Sequence, residues 1–187
     1  MRYNAELQNL DTLLYGRETQ ILHPFDTAVS WGISAWTWHR RVHAGFVLKA
    51  QGRTLVVDAS AGGIDVRPLS ADLANGRNIC VRRGPSALTY MREEMFRDDV
   101  WALWGTGKYG FRKCGRNILS EILGTLSNKE GGAIPRTAFC SELVSAFQRK
   151  HGLFDPCPQF VDRYTTPADL AKSRVLTTMV DRLAFAQ

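Results

Sequence analysis

The sequence predicts an α+β fold in which an antiparallel sheet packs against helices. Three stretches carry that expectation. Ala44–Ala50 and Arg53–Ala59 are β-type runs separated only by Gln51 and Gly52, the signature of a tight hairpin. From Cys140 onward, Leu143, Val144 and Phe147 fall three, four and seven places along, on one helical face. Thr166-Pro167-Ala168-Asp169-Leu170 offers a capping residue, a proline at the first helical position and an early acid, so a short helix starts there.

The other elements follow in order. Leu7, Leu10, Leu13 and Leu14 stand at helical spacing and predict an amphipathic helical lead-in over residues 1–22. A segment dense in tryptophan comes next, with Trp31, Trp36 and Trp38; its indoles suit a core wall or the lip of a substrate cleft. After the hairpin, Ile64–Leu69 and Arg77–Arg82 read as further short strands. Gly84-Pro85-Ser86 opens a helix through about Trp104, with Leu88, Met91 and Met95 on its apolar side. Gly105-Thr106-Gly107-Lys108-Tyr109-Gly110 spells G-x-G-x-x-G, but it follows a helical pattern rather than a strand and reads as a helix stop and turn. A second helical stretch spans Arg116–Leu126, the Cys140 helix ends at His151-Gly152 with the glycine at its C-terminal cap, and Arg174–Val180 is a candidate last strand.

Composition narrows the function. A chain of 187 residues supports one domain with a real core, and 44% hydrophobic with 22% charged residues is the balance of an ordinary globular protein. The polar start, Met1 to Glu6, lacks the apolar stretch of a secretory signal. The longest uncharged run, Thr27–Trp38, is too short and too polar to span a bilayer. The expectation is a soluble protein, cytoplasmic or associated with a phage or virion. Cys80, Cys114, Cys140 and Cys157 form no disulfide framework and no C-x-x-C pair, so reduced thiols are expected. The net charge of +6 is spread over short groups such as Arg40-Arg41, Arg82-Arg83 and Arg112-Lys113, without a nucleic-acid motif, so no specific nucleic-acid partner is expected. No cofactor and no metal are expected either: His39 and His43 lie four apart but lack a third ligand at sensible spacing.

The hairpin and the Cys140 helix together point to chemistry. A thiol in the first turn of a helix meets unpaired N–H groups and the positive end of the helix dipole, which favour thiolate. With a two-residue loop, Ala50 pairs with Arg53, Lys49 with Thr54, and so on down to Gly45 with Asp58. Side-chain alternation then turns His43 to the same face as Asp58, a diagonal neighbour roughly 7–8 Å away, and Gly45 leaves the space between them open. A three-residue loop would turn Asp58 to the other face. A cysteine, a histidine to take its proton and a carboxylate to fix the imidazole are the parts of a cysteine hydrolase. Glu142, two places after the cysteine, reads as a helix cap or a partner for a basic residue.

The runs Val42-His43-Ala44-Gly45-Phe46-Val47-Leu48, Val56-Val57-Asp58-Ala59, Gly107-Lys108-Tyr109-Gly110, Phe139-Cys140-Ser141-Glu142-Leu143-Val144 and Thr166-Pro167-Ala168-Asp169-Leu170 occur in the order found in permuted NlpC/P60 domains. Over residues 25–172 the chain resembles the YiiX-like branch of that family and, more distantly, lecithin retinol acyltransferase. The resemblance implies a circularly permuted papain-like fold, with the strand histidine ahead of the helix cysteine. It also implies Cys140 as nucleophile, His43 as base, Asp58 as orienting acid, and Tyr109 near the site. Aspartate stands at position 58 where the branch usually has glutamate, and Gly110 stands where an aspartate usually follows the tyrosine. The expected activity is cleavage of an amide or ester acyl bond through a thioester, with a peptide, cell-wall or acyl-lipid substrate and with Tyr109, Trp36 and Trp38 as substrate-binding candidates. Acyl transfer would use the same groups. The rival expectation is a non-catalytic basic binding or virion structural module that keeps the fold.

Overall fold

The computed structural model describes residues 3–16, 40–60, 63–104, 108–109, 137–160 and 165–186, with backbone alone at 108–109 and 137–138. The strands are β1 (Thr12–Gly16), β2 (Arg41–Ala50), β3 (Arg53–Ser60), β4 (Gly63–Pro68), β5 (Ile79–Arg83), β6 (Lys108–Tyr109), β7 (Thr137–Ala138) and β8 (Thr177–Val180). The helices are α1 (Leu69–Ala74), α2 (Tyr90–Leu103), α3 (Cys140–Phe147) and α4 (Pro167–Lys172), and a π-turn over Gln148–Gly152 continues α3. Six strands form one antiparallel sheet in the order β4-β3-β2-β1-β5-β8, while β6 and β7 pair in parallel as a separate ribbon. No helix among the described residues is long and apolar enough to cross a membrane.

The hairpin forms in the register expected of a two-residue loop: Ala50 faces Arg53 and Gly45 faces Asp58. Its turn residues, Gln51 at φ 51° and Gly52 at φ 70°, both take the left-handed conformation that lets a tight turn follow the twist of its strands. Alternation along β2 sends Ala44, Phe46 and Leu48 into a core cluster shared with Leu143, Val144 and Phe147 of α3. The opposite face carries Val47, Val56, Leu13, Tyr15 and Leu69, the last from α1.

The lead-in contradicts the expectation of a helix. Thr12–Gly16 is strand β1, buried along its whole length between β2 and β5. A strand covered on both faces needs apolar residues at successive positions, so Leu13-Leu14 satisfies it as well as it satisfies a helical stripe. Residues 17–22 of that lead-in lie outside the described residues.

Helix α2 also differs. It begins at Tyr90 after the extended cap Thr89, not at Gly84, and it buries Phe96 and Val100 while Met91 and Met95 are 72% and 53% exposed. Phe96 packs 5.6 Å from Phe46 and edge-on to Phe147 at 5.9 Å. Two buried aromatic contacts outweigh the burial of flexible methionines and set which face turns inward. At the end of the Cys140 helix the left-handed residue is Leu153, at φ 54°, rather than Gly152. Gly152 is small for another reason: a Cβ there would lie 2.6 Å from the ring of Phe154. The strands at 63–68, 79–83 and 177–180 and the helix at 167–172 answer the remaining expectations, whereas Arg116–Leu126 lies outside the described residues.

Candidate active site

Pairing across the sheet brings the polar residues together. Tyr15 on β1 faces His43, Gly45 on β2 faces Asp58, and Asp58 on β3 faces Asp65 on β4. Gly45 makes the approach possible, since a Cβ at that position would sit 2.9 Å from the carbonyl oxygen of Val57 and 3.1 Å from Asp58 Cβ. In the gap, His43 Nε2 lies 2.9 Å from Asp58 Oδ2. The carboxylate is 1% exposed, while the imidazole keeps 26% of its surface open.

Asp58 is held from behind. Arg67 Nη1 donates to Asp58 Oδ1 at 2.9 Å and Arg67 Nη2 donates to Oδ2 at 2.7 Å, a two-pronged contact. The same guanidinium donates through Nε and Nη2 to the two oxygens of Asp72 on α1, each at 3.0 Å. Asp72 also accepts from Tyr15 Oη at 2.7 Å and from Arg77 Nη1 at 3.2 Å. The Tyr15 ring returns to His43, with centroids 5.4 Å apart. Arg67, Asp72 and Tyr15 were not singled out in the sequence, yet one signal pointed at the first of them. Asp65 directly opposite Asp58 sets two like charges together, and relief requires a cation on that face; Arg67 is two places further along β4.

The third expected residue comes from α3. Phe139, extended at ψ 170°, precedes the helix, and Cys140 opens it. The Glu142 carboxylate accepts from the Phe139 N–H at 3.4 Å, so Glu142 serves as the cap that closes the helix start. Ser141 Oγ donates to the Thr165 carbonyl at 2.6 Å, tying this turn to the segment before α4, where Thr166 and Asp169 cap one another. Cys140 is 2% exposed, and its sulfur lies close enough to the His43 imidazole to act on its charge. With Nε2 on Asp58, Nδ1 is the nitrogen left for the sulfur.

The charges respond to this arrangement. Burial opposes a positive His43, but the Cys140 sulfur first and Asp58 second outweigh it, and the imidazole is pushed up to about 10. Burial likewise opposes an ionised Asp58, and His43 and Arg67 overcome it, holding the carboxyl well below its usual range. Burial also pushes the Cys80 thiol up.

The other expected site residues fall differently. Tyr109 lies on β6, where its backbone pairs with Ala138, two places before Cys140. Trp36 and Trp38 lie outside the described residues. A cleft of about 980 Å³ opens at the far end of the same hairpin, lined by Lys49, Arg53, Arg97 and Trp101. At about 3.3 Å per residue along β2, it is some 20 Å from His43. Among the described residues no three His, Cys, Asp or Glu side chains converge so as to hold a metal ion.

No family model matches the chain, and no curated protein matches it. Among solved structures it is similar to the crystal structure of the metalloprotein YiiX from Escherichia coli O157:H7, with a TM-score of 0.63 and 16% identity over 94% of this chain and 98% of that one. The fold is YiiX-like. It is an α+β fold with a six-stranded antiparallel sheet and a few helices, and in it the hairpin carrying His43 and Asp58 lies in the sheet while Cys140 begins a helix packed upon it.

Proposed function

We propose that this YiiX-like protein is a cysteine hydrolase of the permuted NlpC/P60, papain-like kind, cleaving an amide or ester acyl bond. One observation carries the reading: His43, whose Nε2 lies 2.9 Å from the buried Asp58 carboxylate, is also under the influence of the Cys140 sulfur at the head of α3. In the reaction His43 Nδ1 takes the Cys140 proton, and the sulfur attacks the carbonyl carbon. The tetrahedral oxyanion lies at the start of α3, where the first N–H groups have no partner within the helix. Imidazolium then protonates the departing amine or alcohol, leaving a thioester on Cys140. Water adds to the thioester with His43 taking its proton, the acid departs, and the thiol is restored. Asp58 holds the ring in the tautomer this sequence needs and offsets its charge when protonated. An acceptor alcohol or amine in place of water makes the same groups an acyltransferase. Peptide, cell-wall and acyl-lipid carbonyls all satisfy this chemistry, and Tyr109, Trp36 and Trp38 are the candidates for contacting them.

The fold neighbour is a metalloprotein. In this chain the donors are committed elsewhere: both oxygens of Asp58 accept from Arg67, and His43 Nε2 faces Asp58. The described residues do not fit a metal ion, and the chemistry is assigned to the side chains.

Mass spectrometry after brief incubation with activated esters and peptide amides tests the reading. A covalent acyl adduct on Cys140, absent in Cys140→Ala, is the expected result. No adduct with any acyl donor, together with a Cys140 as inert as Cys80, would leave a binding module that keeps the fold.

A further inference from the structure

The acid of the His43 pair is unusual in its company. Its two oxygens receive three donors, two of them from one guanidinium, and that guanidinium presents its remaining edge to a second buried acid, Asp72, which is 2% exposed and matched in turn by Arg77. Two arginines therefore face two buried acids, and Asp65, the third acid on the cluster, is 48% exposed and reaches Arg67 Nη1 only at 3.3 Å, where solvent weakens the pair. We propose that Arg67 is a positioning residue that neutralises Asp58 from behind, so that the His43 imidazole meets an oriented acceptor of little net charge instead of a full anion.

The consequence concerns proton traffic. A bare carboxylate in a dry site would hold imidazolium more tightly still and give its proton to a leaving group less readily, so the guanidinium limits a rise that the sulfur and Asp58 already impose. An amide side chain would be neutral too, but it could rotate. The fork of Arg67 fixes both Asp58 oxygens, and Arg67 is itself fixed by Asp72, whose other donor, Tyr15, packs against the His43 ring. The loop closes on the imidazole from which it started.

The groups that face His43 are Cys140 from α3, Asp58 from β3 and Tyr15 from β1, with Arg67, Asp65, Asp72 and Arg77 behind them. Helix α4 also packs on β2, but its Asp169 is occupied in capping Thr166 and its Lys172 is exposed. The proposal gives this cluster its meaning through the hydrolase reading above, but its test does not depend on activity.

The test is the NMR titration of His43 in the Cys140→Ala background, with circular dichroism to confirm folding. Arg67→Gln should raise the titration by about one pH unit, because an opposing cation has been removed. Arg67→Lys, which keeps the charge, should stay close to the parent. Asp58→Asn should lower the titration by leaving Arg67 uncompensated beside the ring, and Asp58→Asn with Arg67→Gln should restore it. That double variant places neutral groups at both positions, and with Asp58→Asn it carries the test even where Arg67→Gln does not fold. Equal titration of Asp58→Asn with and without Arg67 would overturn the proposal, as would a downward shift in a folded Arg67→Gln protein. The expected shifts in a protein that forms no acyl adduct would uphold this inference while removing the hydrolase reading.

Discussion

Among the described residues, two histidine–aspartate pairs have almost the same length, and they behave in opposite ways. His43 lies 2.9 Å from Asp58, and His151 lies 2.8 Å from Asp99. In the first pair the acid is buried and the base keeps an open edge. In the second the base is 2% exposed and the acid 30%, and Lys150 competes for that acid at 2.6 Å. His151 is wedged between the rings of Phe96 and Phe147, each 5.6 Å away. Burial pushes its protonation down and Asp99 only partly opposes it, whereas the sulfur and Asp58 push His43 up to about 10. A histidine–carboxylate contact is therefore not in itself a reactive site. What separates the two is which partner is dry and what lies beside the imidazole: the Cys140 sulfur acts on His43, whereas an aromatic core surrounds His151.

Substitution of the two histidines should separate the pairs most sharply. His43→Ala should reduce turnover of an acyl substrate by about 10³- to 10⁴-fold or more, as should Cys140→Ala, since base and nucleophile act as one unit. His151→Ala should leave kcat/KM within about twofold and instead destabilise the fold by about 1–3 kcal/mol in urea, through the packing lost between Phe96 and Phe147, while Asp99 keeps Lys150. Next in size, Asp58→Asn should cost about 10²-fold in kcat/KM, while Asp99→Asn should leave kcat/KM within about twofold, because Asp99 is partly solvated and far from the thiol. Smaller again, Gly45→Ala should cost about 1–3 kcal/mol, because its methyl must push back Val57 and Asp58; activity should fall with it as the His43–Asp58 distance grows.

The pairs also predict opposite pH dependences of stability. His43 is raised in the fold above its ordinary 6.5, so its contribution is complete below that pH and fades as the pH climbs toward about 10. His151 is lowered, so the unfolded chain takes up its proton first, and the loss comes as the pH falls below 6.5. Urea unfolding across pH should show both flanks, with Cys140→Ser flattening the alkaline one and His151→Gln the acid one. A single titration governing both flanks would erase the distinction.

Much of the first pair could be read from the sequence, and almost none of the second. Gln51-Gly52 fixes the loop length, loop length fixes register, and register turns His43 and Asp58 to one face; each step is local. The cap at Thr166 and the helix beginning at Cys140 were legible for the same reason. His151 and Asp99 are brought together by the packing of α2 against the π-turn, and no local rule specifies which face of α2 turns inward; Phe96 and Val100 decide it by what they meet. Strand β1 was misread because a run buried on both faces carries no period of its own. Arg67 was missed because its role depends on a third strand, although the facing of Asp58 and Asp65 was a usable warning.

Whether the His43–Asp58 pair activates Cys140 is decided by pH-resolved alkylation with iodoacetamide, mapped by peptide mass spectrometry. At about pH 6, where an ordinary thiol is almost fully protonated, Cys140 should be labelled well ahead of Cys80, Cys114 and Cys157, and His43→Ala should remove that lead. Labelling of all four cysteines at one rate, or a lead for Cys140 that survives His43→Ala, would contradict the account.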